Sequence, residues 1–325
     1  MNFRTQQQSL SGHQGLVDHH RAIVMMGSCF TDNIGQCLSE RLFDVDINPY
    51  GTLYNPASIA QALLDLLYGK VFKQEDLFEH EGLWHSYSHH SRFSDVDVDK
   101  TLKRINDSAE HARESLANAS ALIITFGTAY VFRMLDDGRL VANCHKLPAS
   151  LFERQMLDAD RIVGLWRKMM REVSARYPRL KVVFTVSPIR HLADGLHGNA
   201  VSKATLLLAV ERIVNEFPDR AIYFPSYEIV FDDLRDYRFY AEDMTHPSTV
   251  AVNYIYEIFQ QSFMSADTMT LASSMYKMTR RLKHRYMGND PLGLVAFEES
   301  RKKLIIDLLS QYPFMSRAIK NIKLQ

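Results

Sequence analysis

Short apolar runs set apart by longer helical patterns constrain this chain of 325 residues more than any other feature. "AIVMM" (22–26), "ALIITF" (121–126), "KVVFTV" (181–186) and "AIYF" (221–224) are too short for core helices. They are rich in β-branched and aromatic residues and stop at Gly, Ser or Pro, so each predicts a buried strand. "FDVDI" (43–47) alternates with period two and adds a weaker fifth. Between them, Phe30, Ile34, Leu38 and Leu42 recur every four residues, one stripe of a helix. A second helix has Asn55 as N-cap, Pro56 at its first position and Gly69 as its stop. Two more end at Pro178 and Pro218, and another starts with Pro247 near its first turn. Strand–helix alternation of this kind implies parallel strands joined by right-handed crossovers, hence a three-layer α/β/α sheet.

The predicted organisation is a core domain over 20–265, with an insertion at about 70–110, and a helical C-terminal extension over 266–325. That extension is locally basic ("TRRLKHRY", "SRKKL") and is where a homo-oligomer or a partner would attach. Lys plus Arg equals Asp plus Glu at 38 each. A chain without net charge carries no whole-molecule footprint for nucleic acid, and solvated helix faces account for its basic segments. No apolar run approaches the ~20 residues of a membrane span, so no membrane partner is expected. Cys29, Cys37 and Cys144 form no CxxC pair, and the N-terminus lacks the apolar stretch of a secretory signal. Both point to a reducing, cytoplasmic location.

The chemistry gathers at two places. In "VMMGSCFTDN", Ser28 follows the first strand and opens a helix. Ligands collect at the carboxyl ends of strands in such sheets, and a helix start offers unpaired N–H donors to a developing oxyanion. Ser28 is therefore placed as a nucleophile, or simply as a helix N-cap. Its neighbour Cys29 is the rival nucleophile, or a small core residue. Late in the chain, "AEDMTHPS" puts Asp243 three residues before His246. On one turn that spacing lets a carboxylate orient an imidazole, the base that a serine hydroxyl needs.

"GSCF", "NPYGTLYNP", "TFGTAYVF", "NCHKLP", "SPIRH" and "RFYAEDMTHPS", in this order from about residue 20 to 260, together resemble the GSCFA domain family, which lies near the SGNH (GDSL-like) hydrolases. The resemblance implies a flavodoxin-like sheet with Ser28 as nucleophile, His246 as general base and then acid, and Asp243 as its orienter. It also implies that the backbone N–H groups of Ser28 and Gly51 help to hold the oxyanion. One departure is plain. SGNH enzymes carry Gly-x-Asn-Asp after the third strand, and here the stretch reads Gly127-Thr128-Ala129-Tyr130. Thr128, Asn55 or Asn143 then stand as replacements for the missing Asn donor.

His145, Arg190 and His191 follow strands or hairpins and are candidate cleft residues: Arg190 for an anionic group, His145 for substrate. Structural ion pairs or hydrogen bonds are the other reading of them. His85, His89 and His90 fit no zinc-ligand spacing, and no metal or cofactor is expected. The function these features imply is serine-dependent ester hydrolysis or acyl transfer on a small O-acyl ester, such as an acetylated carbohydrate. A catalytically inactive carbohydrate- or acyl-binding module on the same fold is the alternative.

Overall fold

A computed structural model describes residues 5–288 and 290–322. Its strands are β1 (Ala22–Gly27), β2 (Val45–Ile47), β3 (Phe78–His80), β4 (Leu83–His85), β5 (Ala119–Phe126), β6 (Tyr130–Met134), β7 (Leu140–Val141), β8 (Phe152–Met156), β9 (Lys181–Val186) and β10 (Ala221–Tyr223). The helices are α1 (Cys29–Ser39), α2 (Pro56–Leu67), α3 (Val98–Ala117), α4 (Ala159–Arg176), α5 (Gly195–Glu216), the short α6 (Ser226–Glu228), α7 (Thr249–Phe263), α8 (Ala266–Leu282), α9 (Pro291–Gln311) and α10 (Ser316–Asn321).

Five strands pair in the order β2-β1-β5-β9-β10, every neighbour parallel. The chain steps outward from β1 to β2, then returns past β1 to β5 and continues the other way. This is the doubly wound, flavodoxin-like order, and its direction reverses between β1 and β5.

Period-two strand geometry explains why both faces are covered. Val24, Met26, Leu122, Ile124, Val182 and Phe184 point to one side, where Leu63 of α2, Ala112 of α3, Trp166 of α4 and Val210 of α5 cover them. Ile23, Met25, Ile123, Val183 and Ile222 point to the other, against Phe30, Ile34 and Leu38 of α1 and Ile255 and Phe259 of α7. Burying each such side chain contributes roughly 1.5–3 kcal/mol, and the fifth predicted strand, β2, joins the second face through Val45.

Gly27 ends β1 with φ at 151°, and a Cβ there would lie 2.3 Å from the carbonyl oxygen of Thr125 on β5. Only glycine lets the chain leave the sheet this close to its neighbour.

Three features differ from the sequence reading. Residues 98–110 of the expected insertion are not loop: they begin α3, which lies in the crossover from β2 to β5. Its buried stripe (Thr101, Ile105, Ala109, Ala112, Ser115, Leu116) keeps the helical period but holds only two large apolar residues among many charged ones, so no apolar run marks it in the sequence. The β3–β4 hairpin occupies 78–85. Pro247 does lie near the first turn of its helix, just ahead of the cap and bridged to Tyr240, and Ser248 caps α7 by accepting the N–H of Ala251. Between β5 and α4 stands a small antiparallel sheet, β7-β6-β8, which the sequence reading did not resolve.

The C-terminal helices rest on the outside of the core. Met275, Leu308, Met315 and Ile319 gather around Leu42. Among the described residues no helix is long and apolar enough to cross a membrane.

Candidate active site

Ser28 caps α1 with extended backbone and makes no side-chain capping bond. It is 2% exposed, and its Oγ is buried without a hydrogen-bond partner. A buried hydroxyl left unbonded costs about 1–3 kcal/mol, which an ordinary N-cap would avoid by bonding its own helix. The hydroxyl instead lines a cavity of ≈ 690 Å³ beyond the carboxyl ends of β1, β5 and β9.

His246 lines the same cavity. Its loop is pinned on itself: Ala241 N–H donates to the His246 carbonyl (2.7 Å), and Ser248 N–H donates to Phe239 (2.7 Å). Asp243 grips the histidine twice, with Oδ1 accepting its backbone N–H at 2.9 Å and Oδ2 lying 2.6 Å from Nδ1. Backbone N–H donation from His246 and Thr245, and then the imidazole, pull the Asp243 carboxyl down to about 2. The carboxylate is thus ionised and favours a proton on Nδ1. That leaves the Nε2 lone pair available, the tautomer a general base requires. No hydrogen bond joins Ser28 to His246 directly.

Asn55 also lines the cavity. Its carbonyl oxygen caps α2 at Ser58 N–H (2.8 Å), and one amide hydrogen goes to Ser58 Oγ (3.0 Å). The second amide hydrogen of Nδ2 is left over. Thr128 lines the cavity too, but its N–H donates to Tyr54 O (2.9 Å) and its hydroxyl bonds Ser202 (3.2 Å). Gly51 is not among the lining residues. Its N–H donates to Asn48 O at 2.7 Å, and the glycine lies so close to His90 that a Cβ would come within 2.2 Å. Ser28 N–H points at Thr125 O across a long 3.4 Å. The N–H groups of Cys29 and Phe30, in the first turn of α1, have no carbonyl within their own helix.

His191 reaches the cavity from the loop after β9, its backbone N–H held by Asn199 Oδ1 (3.0 Å). A Cβ on Gly127 would lie 3.3 Å from Ser28 Cβ and 3.5 Å from His191 Nε2, so these groups share the cavity floor. Burial, helped by the Lys203 cation, pushes the His191 imidazole down to about 4, keeping it neutral. Lys203 is itself buried, and donates to the carbonyls of Gly127 (2.6 Å) and Ser187 (2.7 Å) at the ends of β5 and β9. Burial pushes its amine down to about 7. Sequence reasoning passed over it, because a lysine inside "SKATLLLAV" looks like a solvated helix position.

Cys29 lines the cavity as well, with Sγ 3.4 Å from the Tyr54 hydroxyl. Tyr130, Phe132 and Arg154 of the small antiparallel sheet, with Ala142 just after β7, make one wall. A signal for that sheet was present: Asp137-Gly138 lies in the short loop joining β6 to β7, where Gly138 has φ of 70°.

Asn143 and His145 are not brought to the cavity. Asn143 Oδ1 accepts His145 N–H (2.9 Å), while His145 Nε2 bonds Ser86 O (2.8 Å) and its ring lies 4.5 Å from that of His85. His89 stacks on Tyr50 at 4.4 Å and bonds Ser86 Oγ (2.9 Å). Burial pushes His145 to about 4 and His89 to about 3. These rings fasten the β3–β4 region to the core, and no group of three metal-ligating side chains occurs among the described residues.

The model of the GSCFA family matches residues 22–259, from β1 into α7. No curated protein matches the sequence. Among solved structures, a carbohydrate esterase family 3 enzyme from Talaromyces cellulolyticus is similar at 12% identity, over 78% of this chain and 99% of that one, with a TM-score of 0.32. A carbohydrate esterase family 2 enzyme with a carbohydrate binding domain, from Corynascus thermopiles, is similar at 12% identity over 82% and 69%, with a TM-score of 0.40. An acetyl xylan esterase from Butyrivibrio proteoclasticus is similar at 9% identity over 75% and 64%, with a TM-score of 0.37.

Proposed function

We propose that this chain, which belongs to the GSCFA family, is a serine-dependent esterase or acyltransferase acting on a small O-acyl ester. The observation that carries the proposal is the meeting of an unbonded, buried Ser28 hydroxyl and an Asp243-oriented His246 on one cavity.

In the proposed reaction, substrate seats its ester carbonyl beside Ser28. Ser28 Oγ attacks the carbonyl carbon as His246 Nε2 takes the hydroxyl proton. Negative charge then builds on the carbonyl oxygen, and the spare Nδ2 hydrogen of Asn55 and the first-turn N–H groups of α1 are the donors suited to hold it. Collapse expels the alcohol, which receives its proton from His246, and leaves an acyl-serine. Water, activated by His246, releases the acid; a sugar or other hydroxyl in its place makes the protein a transferase. Asp243 stays ionised throughout and stabilises the imidazolium. An acetylated carbohydrate is the substrate we favour among small O-acyl esters.

One observation favours the alternative, a binding module without turnover. The expected donors at Gly51 and Thr128 are committed to Asn48 and Tyr54, and one lost oxyanion donor typically costs roughly 100- to 1,000-fold in rate. A screen of p-nitrophenyl and acetyl-sugar esters against wild type and Ser28→Ala decides between them. Turnover by wild type that is lost in Ser28→Ala supports the enzyme; equal, background-level hydrolysis by both folded proteins supports the binder.

A further inference from the structure

The cavity does not end at His191. A second hollow of ≈ 420 Å³ adjoins it, and Arg190 and Leu192 line both. Its remaining walls include Phe231, Tyr237, Tyr240 and Met244. Tyr237 is 76% exposed and Met244 54%, an apolar surface with nothing over it. The loop that delivers His246 to the first cavity delivers Met244 to the second, turning between them at a Met244 φ of 55°.

Charge separates this hollow from the rest of the cleft. Three arginines border the combined space: Arg154, Arg190 and Arg235. Arg154 lies over the Tyr130 ring at 3.7 Å and is neutralised by the carboxylate of Asp194. The guanidinium of Arg190 stands 4.7 Å over the Phe231 ring and against the phenol of Tyr240. Among the described residues neither Arg190 nor Arg235 forms an ion pair. The one carboxylate lining the second hollow, Asp236, is engaged by Arg238, with its Oδ2 3.4 Å from Nε and its Oδ1 accepting the Arg238 N–H at 3.0 Å. Two uncompensated guanidinium groups therefore border a half-apolar hollow next to the reacting serine. Arginine forks match planar and tetrahedral oxyanions, and aromatic faces hold them ready without spending the charge.

We infer that the second hollow binds an anionic group, carboxylate or phosphate, on the non-reacting end of the substrate, with Arg190 at the junction as its main contact. This deepens the reading of the first cavity as a substrate site, and gives that substrate two ends: an ester at Ser28 and a negative charge at Arg190.

Equilibrium binding tests it without turnover. Calorimetric titrations compare 4-hydroxybenzoate and phenyl phosphate with the neutral 4-hydroxybenzamide, which carries no ester, on wild type, Arg190→Gln and Arg190→Lys. Wild type should bind at least one anion roughly 10- to 100-fold more tightly than the neutral amide, the range expected for one charged hydrogen-bonded contact. Which anion leads tells carboxylate from phosphate. The preference should vanish in Arg190→Gln, survive in part in Arg190→Lys, and shrink between 50 and 500 mM NaCl in wild type. Equal binding of all three probes by wild type overturns the inference, as does a preference that Arg190→Gln retains while its unfolding midpoint stays at the wild-type value. Because no bond is made or broken, failure here leaves Ser28 untouched, and failure of Ser28 to react leaves this binding intact.

Discussion

Replacing Gly27 by alanine strikes the turn that presents Ser28, and its cost follows from the coordinates. A Cβ at this position would lie 2.3 Å from the Thr125 carbonyl oxygen, 2.8 Å from Thr125 Cβ and 2.9 Å from Thr125 N. Two of these atoms are backbone in the central strand of the sheet, so no side-chain rotation relieves the overlap. Overpacking in a core costs about 1–3 kcal/mol, and forcing an L-residue into sparsely populated backbone costs about 1–3 kcal/mol more. Gly27→Ala should therefore lose about 3 kcal/mol or more, a fall of roughly 5 °C in melting temperature for a chain of this length. Gly164 is the internal control. It lies within α4, where an added Cβ meets nothing within 4 Å, so Gly164→Ala should gain roughly 0.5–1 kcal/mol from helix propensity. Urea unfolding of both variants beside wild type reads the difference. If Gly27→Ala unfolds at the wild-type midpoint, β1 and β5 are not this close and the placement of Ser28 above them is wrong.

Asp243→Asn should lower kcat on any ester turned over by roughly 1,000- to 10,000-fold with little change in KM, since an amide no longer holds the imidazole in its working tautomer; a loss below tenfold would count against that role. Acid should destabilise the fold in a defined window. His89, His145 and His191 are pushed to about 3, 4 and 4, below the ordinary 6.5, so the unfolded chain binds protons that the folded one excludes. Stability present above about pH 6.5 is then lost as pH falls towards 4: these three rings take up roughly two to three protons on unfolding near pH 5, and Asp46, whose carboxyl is pushed up to about 6 by burial, gives back about one, leaving a net uptake of roughly two. The slope of unfolding free energy against pH gives that number, and a flat profile from pH 7 to 4.5 contradicts the burial assigned to these rings.

The parallel sheet was legible because buried strands must be apolar on both faces, and β1, β5, β9 and β10 announce themselves in that way. The placement of the candidate residues Ser28, Asp243 and His246 was legible through local spacing: a hydroxyl at a strand-to-helix turn, and a carboxylate one turn before the imidazole it contacts. What stayed hidden depends on contacts between distant segments. Helix α3 buries only two large apolar side chains, Ile105 and Leu116, on an otherwise small and polar stripe, so it lacks an apolar signature. Gly51 reads like a loop donor until Asn48 is seen to take its N–H. His145 reads like a cleft residue, yet it turns instead towards Ser86 and His85. Lys203 looks solvated in sequence, and only the fold brings the carbonyls of Gly127 and Ser187 together to receive it.

The direct test of Ser28 as an activated nucleophile is covalent labelling. A fluorophosphonate reacts with a serine hydroxyl only when a base draws off its proton, and peptide mass spectrometry then locates the adduct. One phosphonyl group should appear on Ser28, be absent in Ser28→Ala, and form far more slowly in His246→Gln. An adduct on Cys29, or none on the folded wild-type protein, would contradict a serine nucleophile served by His246.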